Sequence, residues 1–405
     1  MIVAPSSRRP GPPRFLLFSG NYNYVRDGAN QALNRLISYL EGRGVETRIV
    51  APTVKKPAFE PAGTLLSAPS FPIPFRPEYR VAYRFPFALR RQLAGFAPDL
   101  VQVSAPDYLG HLALDWAERH KITRIASVHT RFETYMSYYG LDFLRGLMEM
   151  GLRKFYNRCE VVFTPSQTMA EQFRSIGVRA PFRSWARGVQ AERFSPAQRD
   201  LAWRTSHGFG PDEVLVAFVS RLVLEKGLDV VEAVHQRLKD RNIAHRLVIV
   251  GDGPARGWME RRAPDARFLG FLSGDDLGKA YANADIFLFP SATETFGNVT
   301  LEAMASGLAS VCADASGSRD LIKSGETGLL CPVGDVGAFT DAVAALITDA
   351  PKRAQMGKAA RVHALKFDWT AIFDRLFEDY ARLSPAFADA AARAPAARIV
   401  HAQAP

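Results

Sequence analysis

Two glutamates, Glu294 and Glu302, lie on either side of a Phe-Gly-Asn turn in residues 294 to 307, ETFGNVTLEAMASG. The apolar run before this segment predicts a strand, and the residues from Asn298 onward predict a helix. Free backbone N–H groups at a helix start favour an anion such as a diphosphate, and Gly297 would let it approach the main chain. Each glutamate alone is equally typical of a solvated charge, but together they could bind hydroxyls on opposite sides of one diphosphate.

Two cations lie on an earlier strand-to-helix loop, in residues 219 to 231, VSRLVLEKGLDVV. Arg221 and Lys226 would stand beside a helix that begins at Gly227 or Leu228. Arg offers a planar fork of donors and Lys a point charge, so the pair is suited to a diphosphate. An Arg and a Lys on a loop are, however, often only solvated.

A tight Gly-Asp-Gly-Pro turn follows the strand predicted in residues 248 to 255, VIVGDGPA. A lone G-x-G is a weak signal, and Gly251 and Asp252 could simply form a sharp turn. Position 256, where G-x-G-x-x-G needs glycine, is Arg256. This counts against a nicotinamide-binding oxidoreductase.

The first half of the chain offers two further candidates. The loop in residues 19 to 36, SGNYNYVRDGANQALNRL, puts Gly28 at a helix start, where its backbone could approach a phosphate or a sugar. The segment at residues 127 to 135, SVHTRFETY, ends a strand at His129, a candidate hydrogen-bond donor or general base. A lone histidine is nevertheless more often structural.

Several motifs are missing from the sequence. It contains no Asp-x-Asp, no His, Cys and Asp set at metal-ligand spacing, and no G-x-x-x-x-G-K-[ST]. A metal-dependent transferase or a P-loop kinase would need one of these, so the sequence predicts neither.

The pattern of elements predicts an α/β protein with two similar halves. Apolar runs rich in Val, Ile and Phe alternate with helix-period segments, which is typical of parallel sheets covered by helices. Predicted strands span residues 14–20, 46–52, 100–104, 124–129 and 161–166, then 214–221, 246–253, 267–272, 285–291, 309–314 and 328–332; a long helix is predicted at 28–42.

The predicted domains are 14–190 and 200–366, followed by an amphipathic helix at 367–383 and a mobile tail at 384–405. Ligands of such sheets bind beyond the carboxyl ends of the strands, where the motifs fall.

Composition narrows the class of protein further. The chain has 405 residues, which suits two domains, and three widely spaced cysteines, which favour a reducing compartment. No apolar run is long enough to predict a membrane span, and the N-terminal residues lack the apolar core of a signal peptide. We therefore expect a cytoplasmic protein.

The motifs taken together resemble a known family. ETFGNVTLE, RLVLEKG, GDGPA and the loop with Gly28 are similar to the retaining GT-B glycosyltransferases of family GT4, whose signature is two glutamates separated by seven residues. The resemblance runs from about residue 14 to 383. HTRFETY, GFLSGDDLGKAYANADIFLFPSATETFGN and AMASG look most like the GDP-mannose-dependent α-mannosyltransferases, and sulfoquinovosyl and other glycolipid glycosyltransferases share these motifs.

The resemblance implies a GT-B fold, in which two Rossmann-like domains face each other across a cleft and the last helix packs back on the first domain. It implies catalytic roles for His129, Glu294, Arg221 and Lys226. It implies donor binding by Gly28, Arg221, Lys226, Gly251, Asp252, Gly270, Phe271, Leu272, Glu294, Phe296, Gly297, Asn298, Val299 and Glu302. Within that set, Arg221 and Lys226 would contact the diphosphate. Glu302 would contact the ribose, and Glu294 would contact the transferred sugar. The base would lie near Gly270, Phe271 and Leu272.

The activity that the resemblance implies is retaining, metal-independent hexosyl transfer from a nucleotide-sugar, with GDP-mannose favoured and no further cofactor. Alternatives are a UDP-sugar-dependent transferase that acts on a diacylglycerol or ceramide lipid, and a nucleotide-sugar-binding protein without transferase activity. The chain departs from the family pattern at Gln190, where GVD is common and GVQ stands here. We expect this position to shape the linker between the halves.

Charge is distributed unevenly along the chain. Residues 1 to 190 hold 26 Lys and Arg against 14 Asp and Glu, whereas the remainder holds 25 against 27. Basic residues alternate with aromatics in residues 71–92 and 138–156, a pattern suited to an anionic membrane surface, although both could be ordinary parts of the fold. No nucleic-acid recognition motif accompanies the charge. The sequence thus predicts a glycolipid acceptor and peripheral attachment at the inner face of the cytoplasmic membrane.

Overall fold

Two parallel sheets, one in each half of the chain, form the framework of the computed structural model, which describes residues 11–24, 28–73, 76–129 and 142–393. The first half contains β1 (Arg14–Phe18), β2 (Glu46–Ala51), β3 (Thr64–Ser67), β4 (Ser70–Ile73), β5 (Arg76–Ala82), β6 (Leu100–Val103), β7 (Thr123–Ser127), β8 (Val161–Thr164) and β9 (Phe182–Ser184). The second half contains β10 (Leu215–Val219), β11 (Arg246–Val250), β12 (Arg267–Gly270), β13 (Ile286–Phe289), β14 (Ala309–Ala313) and β15 (Leu329–Cys331).

Helices connect the strands in both halves. The first half has α1 (Gly28–Gly42), α2 (Phe87–Phe96), α3 (Tyr108–Arg119), α4 (Arg145–Tyr156) and α5 (Gln167–Ser175). The second has α6 (Leu201–Ser206), α7 (Leu228–Asp240), α8 (Arg256–Arg262), α9 (Gly274–Asn283), α10 (Asn298–Ala305), α11 (Ser318–Leu321), α12 (Val336–Thr348), α13 (Ala350–Ala364), α14 (Trp369–Leu383) and α15 (Pro385–Arg393).

Every strand predicted from the sequence is present, and most are apolar runs buried on both faces of a parallel sheet, whereas the edge strands β12 and β15 are largely half-buried. In β1, for example, Phe15, Leu16 and Leu17 are fully buried. The sequence did not predict β3, β9 or the antiparallel hairpin of β4 and β5. Pro72 and its neighbouring prolines conceal that hairpin, since proline is normally confined to edge strands.

The order of the strands determines where ligands can bind. The first sheet runs β3-β2-β1-β6-β7-β8-β9 and the second β12-β11-β10-β13-β14-β15. In each sheet the chain reverses its direction of winding beside the first strand, between β1 and β6 and between β10 and β13. A crevice opens at the carboxyl ends of such strands. The loops after β1, β10 and β13 are therefore the natural positions for a site.

The last two helices pack on the first half of the chain. Leu376 and Tyr380 of α14 join the same buried cluster as Phe15 of β1 and Tyr39 of α1. The prediction of a mobile tail is wrong for α15, whose Phe387 is fully buried and contacts the Phe15 and Tyr380 rings. A single aromatic side chain thus anchors this Ala-rich helix to the first half. The rest of the predicted tail, residues 394–405, lies outside the described ranges.

The three cysteines are buried and form no disulfide. Among the helices in the described part of the chain, none combines the length and the apolar character that a bilayer span requires.

Candidate active site

The segment with the two glutamates forms the loop after β13 and the start of α10. Gly297 is the N-cap residue and has φ of 91° and ψ of 52°, a left-handed conformation that glycine adopts without strain. Among the residues that the structure describes, no side chain caps the first turn of α10. The first-turn N–H groups of Asn298 and Val299 therefore lie at a helix end that carries partial positive charge.

Lys226 and Glu294 form an ion pair at the ends of neighbouring strands. The Lys226 Nζ lies 2.6 Å from Glu294 Oε1 and 3.5 Å from Thr293 Oγ1, and both charged side chains are largely buried. β10 and β13 are paired in the sheet, so the loops that follow them meet. The Ser316 hydroxyl also donates to the Glu294 carbonyl at 3.0 Å, which fixes the loop from the other side.

Arg221, the other predicted cation, is exposed on the loop after β10. Within the described residues its side chain makes no hydrogen bond or ion pair, in contrast to Lys226. Gly227 packs so closely on the end of β13 that an added Cβ would lie 2.9 Å from Pro290. The loop is thus anchored next to the Glu294 segment while the Arg221 side chain extends from it.

Glu302 lies one turn inside α10, in a different environment from Glu294. The Tyr281 hydroxyl lies 3.2 Å from both Glu302 Oε2 and the Val299 carbonyl oxygen. Burial raises the pKa of Glu302 to about 7, although the Tyr281 hydrogen bond and the charge of Arg193 act in the opposite direction. Near neutral pH this carboxyl group therefore exists in both protonation states.

The Gly-Asp-Gly turn packs against the loop that carries Arg221. Gly251 has φ of 130°, and a Cβ there would lie 1.9 Å from the Ser220 carbonyl oxygen. Gly251 N–H donates to the Gly270 carbonyl at 2.7 Å, and Asp252 Oδ1 accepts from Gly253 N–H. These contacts explain why glycine is needed in this turn, because neighbouring main-chain segments leave no room for a Cβ atom.

The segment predicted to meet a nucleotide base lies beside this turn. Gly270 ends β12 with φ of 71°, and Phe271 is 70% exposed, whereas Leu272 is half-buried. Phe296 is buried against Phe367 and acts as a core residue beneath the loop of α10.

Contacts between described residues join the loops of the two sheets. Gly28 lies against Asn298, such that a Cβ at Gly28 would be 2.3 Å from Asn298 Nδ2. The Thr295 hydroxyl donates to the His129 carbonyl at 3.2 Å. The Thr168 N–H, at the start of α5, donates to Asp320 Oδ1 at 3.3 Å. The carboxyl ends of the two sheets therefore face each other, with the glutamate loop between them.

The His129 ring is held entirely by the first half of the chain. Its Nε2 lies 2.8 Å from Ser127 Oγ and its Nδ1 lies 2.7 Å from Arg187 Nη2. Burial, reinforced by the charge of Arg187, lowers the pKa of His129 well below its ordinary value. Both ring nitrogens are therefore engaged in this arrangement, and the role of general base at His129, which would require one of these bonds to open, stays a prediction.

Several residues at the site were not identified from the sequence. Tyr281, Thr295 and Ser316 contact the two glutamates or their loop, and Arg187 contacts His129. Tyr281 and Arg187 lie in segments that read as core or linker, so no local pattern marks them. Across the described ranges, no cluster of three or more His, Cys, Asp or Glu residues could hold a metal ion.

Comparison with known proteins gives matches over both halves. Residues 26–193 match the model of Glycosyltransferase Family 4, and residues 200–363 match that of glycosyl transferases group 1. The chain is 32% identical over 371 residues to the sulfoquinovosyl transferase SQD2 of Arabidopsis thaliana, which covers 89% of this chain and 72% of that protein.

A second relative is matched over nearly all of its length. A GDP-mannose-dependent alpha-mannosyltransferase of Corynebacterium glutamicum is 30% identical over 374 residues, 91% of this chain and 89% of that protein. Among solved structures, the Anabaena protein Alr3699/HepE in complex with UDP superposes with a TM-score of 0.73 at 18% identity, covering 91% of this chain and all of that one. With these relatives, with two facing parallel sheets and with the paired glutamates at the cleft, the chain belongs to the GT4 glycosyltransferases and has their GT-B fold.

Proposed function

We propose that this enzyme is a retaining, metal-independent hexosyltransferase that uses GDP-mannose and transfers mannose to the hydroxyl of a membrane glycolipid. The observation that carries the proposal is the Lys226–Glu294 ion pair next to the uncapped first turn of α10. A nucleotide-sugar has two phosphates between a ribose and a hexose, and the site likewise offers a cation and free N–H groups between two carboxylates, Glu294 and Glu302.

The charges of the site support departure of a diphosphate without a metal ion. Negative charge develops on the leaving phosphate oxygen as its bond to the sugar C1 breaks. Lys226, Arg221 and the α10 N-terminus would stabilise that charge, which is the role that preorganised donors have in other transferases. In a retaining reaction the acceptor hydroxyl forms its bond to C1 on the same face, and its proton passes to the departing phosphate oxygen.

In this proposal the two glutamates bind opposite ends of the donor. Glu294, at the loop before α10, would accept hydrogen bonds from the hexose hydroxyls, and Glu302, one turn further on, from the ribose. The base would stack near Phe271, whose ring is exposed beside the Gly251 turn. The Gly28 loop would close over the sugar from the first half.

A UDP-sugar is the second candidate donor. It is supported by the 32% identity to a sulfoquinovosyl transferase, a level similar to the 30% identity to the mannosyltransferase of Corynebacterium glutamicum. Main chain around Gly270 would contact the base, and main chain discriminates poorly between bases. The residues of the site therefore do not by themselves separate the two donors.

Thermal-shift measurements with GDP-mannose, UDP-glucose, UDP-glucuronate and UDP-sulfoquinovose test the donor. We expect GDP-mannose alone to raise the melting temperature of the wild type, and the increase to be lost in Lys226→Ala. Stabilisation by a UDP-sugar alone would assign the second candidate. No stabilisation by any of the four would contradict a nucleotide-sugar donor.

A binding protein without transferase activity is the rival from another class. The Glu294→Ala variant distinguishes the two, because removing a sugar contact should abolish transfer and donor hydrolysis while the α10 N-terminus still binds the diphosphate. A wild-type protein that binds donor but neither transfers nor hydrolyses it would establish the rival.

An exposed apolar surface on the first half supports a membrane acceptor. Phe87 on α2, Phe143 in the turn just before α4 and Leu147 in the first turn of α4 are each at least 60% exposed. The buried faces of α2 and α4 belong to one cluster, so both helices cover the same side of the sheet. The same half carries the excess of Lys and Arg, which would favour anionic headgroups.

Co-sedimentation with vesicles tests attachment at the inner face of the cytoplasmic membrane. We expect the enzyme to bind vesicles with anionic lipids but not neutral ones, and the Phe143→Ser, Leu147→Ser double variant to bind much less. Val362→Ser, at a similarly exposed apolar position in the second half, serves as the matched control. Equal binding to both kinds of vesicle, or to neither, would reject the attachment.

A further inference from the structure

We propose that Arg187 is a positioning residue, which fixes the His129 imidazole as the Nε2–H tautomer and thereby holds the strand end that contacts the Glu294 loop. The inference follows from a chain of hydrogen bonds that begins at the guanidinium and ends on the C-terminal helix α14. Its activity test rests on the proposed transferase function, whereas its spectroscopic test does not.

The tautomer follows from what each group can donate. A guanidinium has donors only, so the nitrogen that faces it must be an acceptor. Arg187 Nη2 lies 2.7 Å from His129 Nδ1, and Arg187 Nη1 donates to the Trp185 carbonyl at 3.0 Å. In a neutral ring the proton is therefore on Nε2, from which it is donated to Ser127 Oγ at 2.8 Å.

Arg187 is itself held in one place. It is only 4% exposed, and its guanidinium carbon lies 5.1 Å from the centre of the Trp185 ring. The same Trp185 ring meets the His129 ring edge-on, with centroids 5.1 Å apart. Arginine, tryptophan and histidine thus form a packed group in which the imidazole cannot rotate without losing both of its hydrogen bonds.

The chain of bonds continues beyond Ser127 to the far side of the sheet. Gln102 of β6 donates from Nε2 to Ser127 Oγ at 3.0 Å, and Tyr380 of α14 donates to Gln102 Oε1 at 2.6 Å. Gln102 and Tyr380 are fully buried. Ring orientation at His129 is therefore coupled to β7, β6 and the helix that follows the second half.

The consequence for the site lies in the backbone of His129. Its carbonyl accepts the Thr295 hydroxyl, and Thr295 follows Glu294 in the chain. A ring released from its two hydrogen bonds could change rotamer and would no longer hold the strand end that carries this carbonyl against the loop. A misplacement of about 1 Å can cost an enzyme on the order of a hundredfold in rate. Arg187 would thus act on catalysis through His129 without contacting the reacting atoms.

Nitrogen-15 NMR of the imidazole rings tests the proposal directly. His129→Asn identifies the resonances of His129 among those of the eight histidines. We expect wild-type His129 to remain a neutral Nε2–H tautomer between about pH 5.5 and pH 8, where an ordinary histidine titrates. In Arg187→Met we expect the ring to titrate or to exchange between tautomers, and in Arg187→Lys, which keeps a donor, to return toward the wild-type state.

The control is Arg183→Met, which removes a half-exposed arginine on the neighbouring β9 and should leave the His129 resonances unchanged. A wild-type ring that titrates in this range, or that carries its proton on Nδ1, overturns the proposal, even if Arg187→Met fails to fold. An Arg187→Met spectrum identical to that of the wild type overturns it as well.

Steady-state kinetics of the Arg187 variants then distinguishes a positioning role from a purely structural one. We expect Arg187→Met to lower kcat by about tenfold to a hundredfold with little change in the donor KM, and Arg187→Lys to recover most of the loss. A loss of stability that Arg187→Lys does not reverse, with kcat per folded molecule unchanged, contradicts the positioning role. Absence of any transferase activity would contradict the proposed function and leave the NMR result to decide the role of Arg187.

Discussion

At the scale of single residues, the site depends on where two charges meet. Lys226 and Glu294 come from loops 68 positions apart and contact each other because β10 and β13 are paired. In the proposed reaction the ammonium stabilises the departing diphosphate and orients the carboxylate. The pair therefore serves both the charge and the geometry of the transfer.

Replacing Lys226 by Ala is expected to lower kcat/KM by about a hundredfold to a thousandfold, the effect of removing one preorganised donor from a transition state. Steady-state kinetics measures it, with Lys323→Ala as the control, because Lys323 is an exposed lysine of the same half. A change below about threefold in kcat/KM would show that Lys226 does not contact the developing charge.

The raised pKa of Glu302 predicts that donor binding depends on pH. Its pKa of about 7 lies above the ordinary value for glutamate, so acid protonates it and should weaken the ribose contact proposed for it. Affinity for the nucleotide-sugar should therefore rise about tenfold between about pH 6 and pH 8, where the diphosphate diester itself does not ionise.

Isothermal titration of the wild type and of Glu302→Gln measures this dependence. Glutamine cannot ionise, so the affinity of Glu302→Gln for the donor should be nearly constant across this pH range. At alkaline pH it should be lower than the affinity of the wild type. An affinity that falls as pH rises, or equal slopes for both proteins, would contradict a ribose contact by the carboxylate.

Sequence spacing predicted Glu294, Glu302 and Lys226 as site residues, because Glu294 and Lys226 follow strands at loops where α/β sheets bind ligands and Glu302 lies in the helix that the Glu294 loop begins. It could not identify Tyr281, which is 21 positions from Glu302 and looks like a core aromatic of α9. Nor could it show that both nitrogens of His129 are engaged, since Arg187 lies 58 positions away. Such partners depend on which strands are neighbours, and residue spacing does not encode that.

At the scale of elements, the start of α10 and the start of α1 meet across the cleft. Gly28 → Ala should hinder their approach, because its Cβ would lie 2.3 Å from Asn298 Nδ2. We expect the variant to lose at least about tenfold in kcat/KM, with stability nearly unchanged because the clash arises only where the two halves touch.

The double variant Gly28→Ala, Asn298→Ala tests the same contact by rescue. Removing the amide makes room for the methyl group, so activity should recover toward that of Asn298→Ala alone. Strictly additive losses in a double-mutant cycle would show that the two residues do not meet in the working enzyme.

The elements predicted from sequence were those with a continuous apolar run or a clear helical period. The strand–helix order of both halves and the bounds of α1 followed from these patterns, whereas the β4–β5 hairpin did not, because its segment contains prolines and alternates poorly. α15 was mistaken for a mobile tail because alanine gives little periodicity and Phe387 is the one large apolar side chain by which the helix docks.

At the scale of the whole molecule, α14 connects the end of the second half to the core of the first. Leu376 is fully buried in a cluster with residues of β1 and α1. Leu376→Ala should reduce the free energy of unfolding by about 2–5 kcal/mol through lost burial and a residual cavity. Chemical denaturation measures the change, and Glu378→Ala, on the exposed side of the same helix, should be nearly neutral.

If Leu376→Ala destabilised only the second half of the chain, this account of α14 would be contradicted. Equal losses of stability in Leu376→Ala and Glu378→Ala would contradict it as well. Packing of the C-terminal helix on the first half also supplies Tyr380 to the chain of bonds that reaches His129. The two halves are thus joined at the cleft by loop contacts and behind it by one helix.

The central claim is that a nucleoside diphosphate binds between the halves, on the first turn of α10 and beside Lys226 and Arg221. A crystal structure of the protein soaked with GDP, and in parallel with UDP, tests it most directly. The account predicts diphosphate oxygens within hydrogen-bond distance of the N–H groups of Asn298 and Val299 and of the Lys226 ammonium. A diphosphate bound at any other place would contradict it.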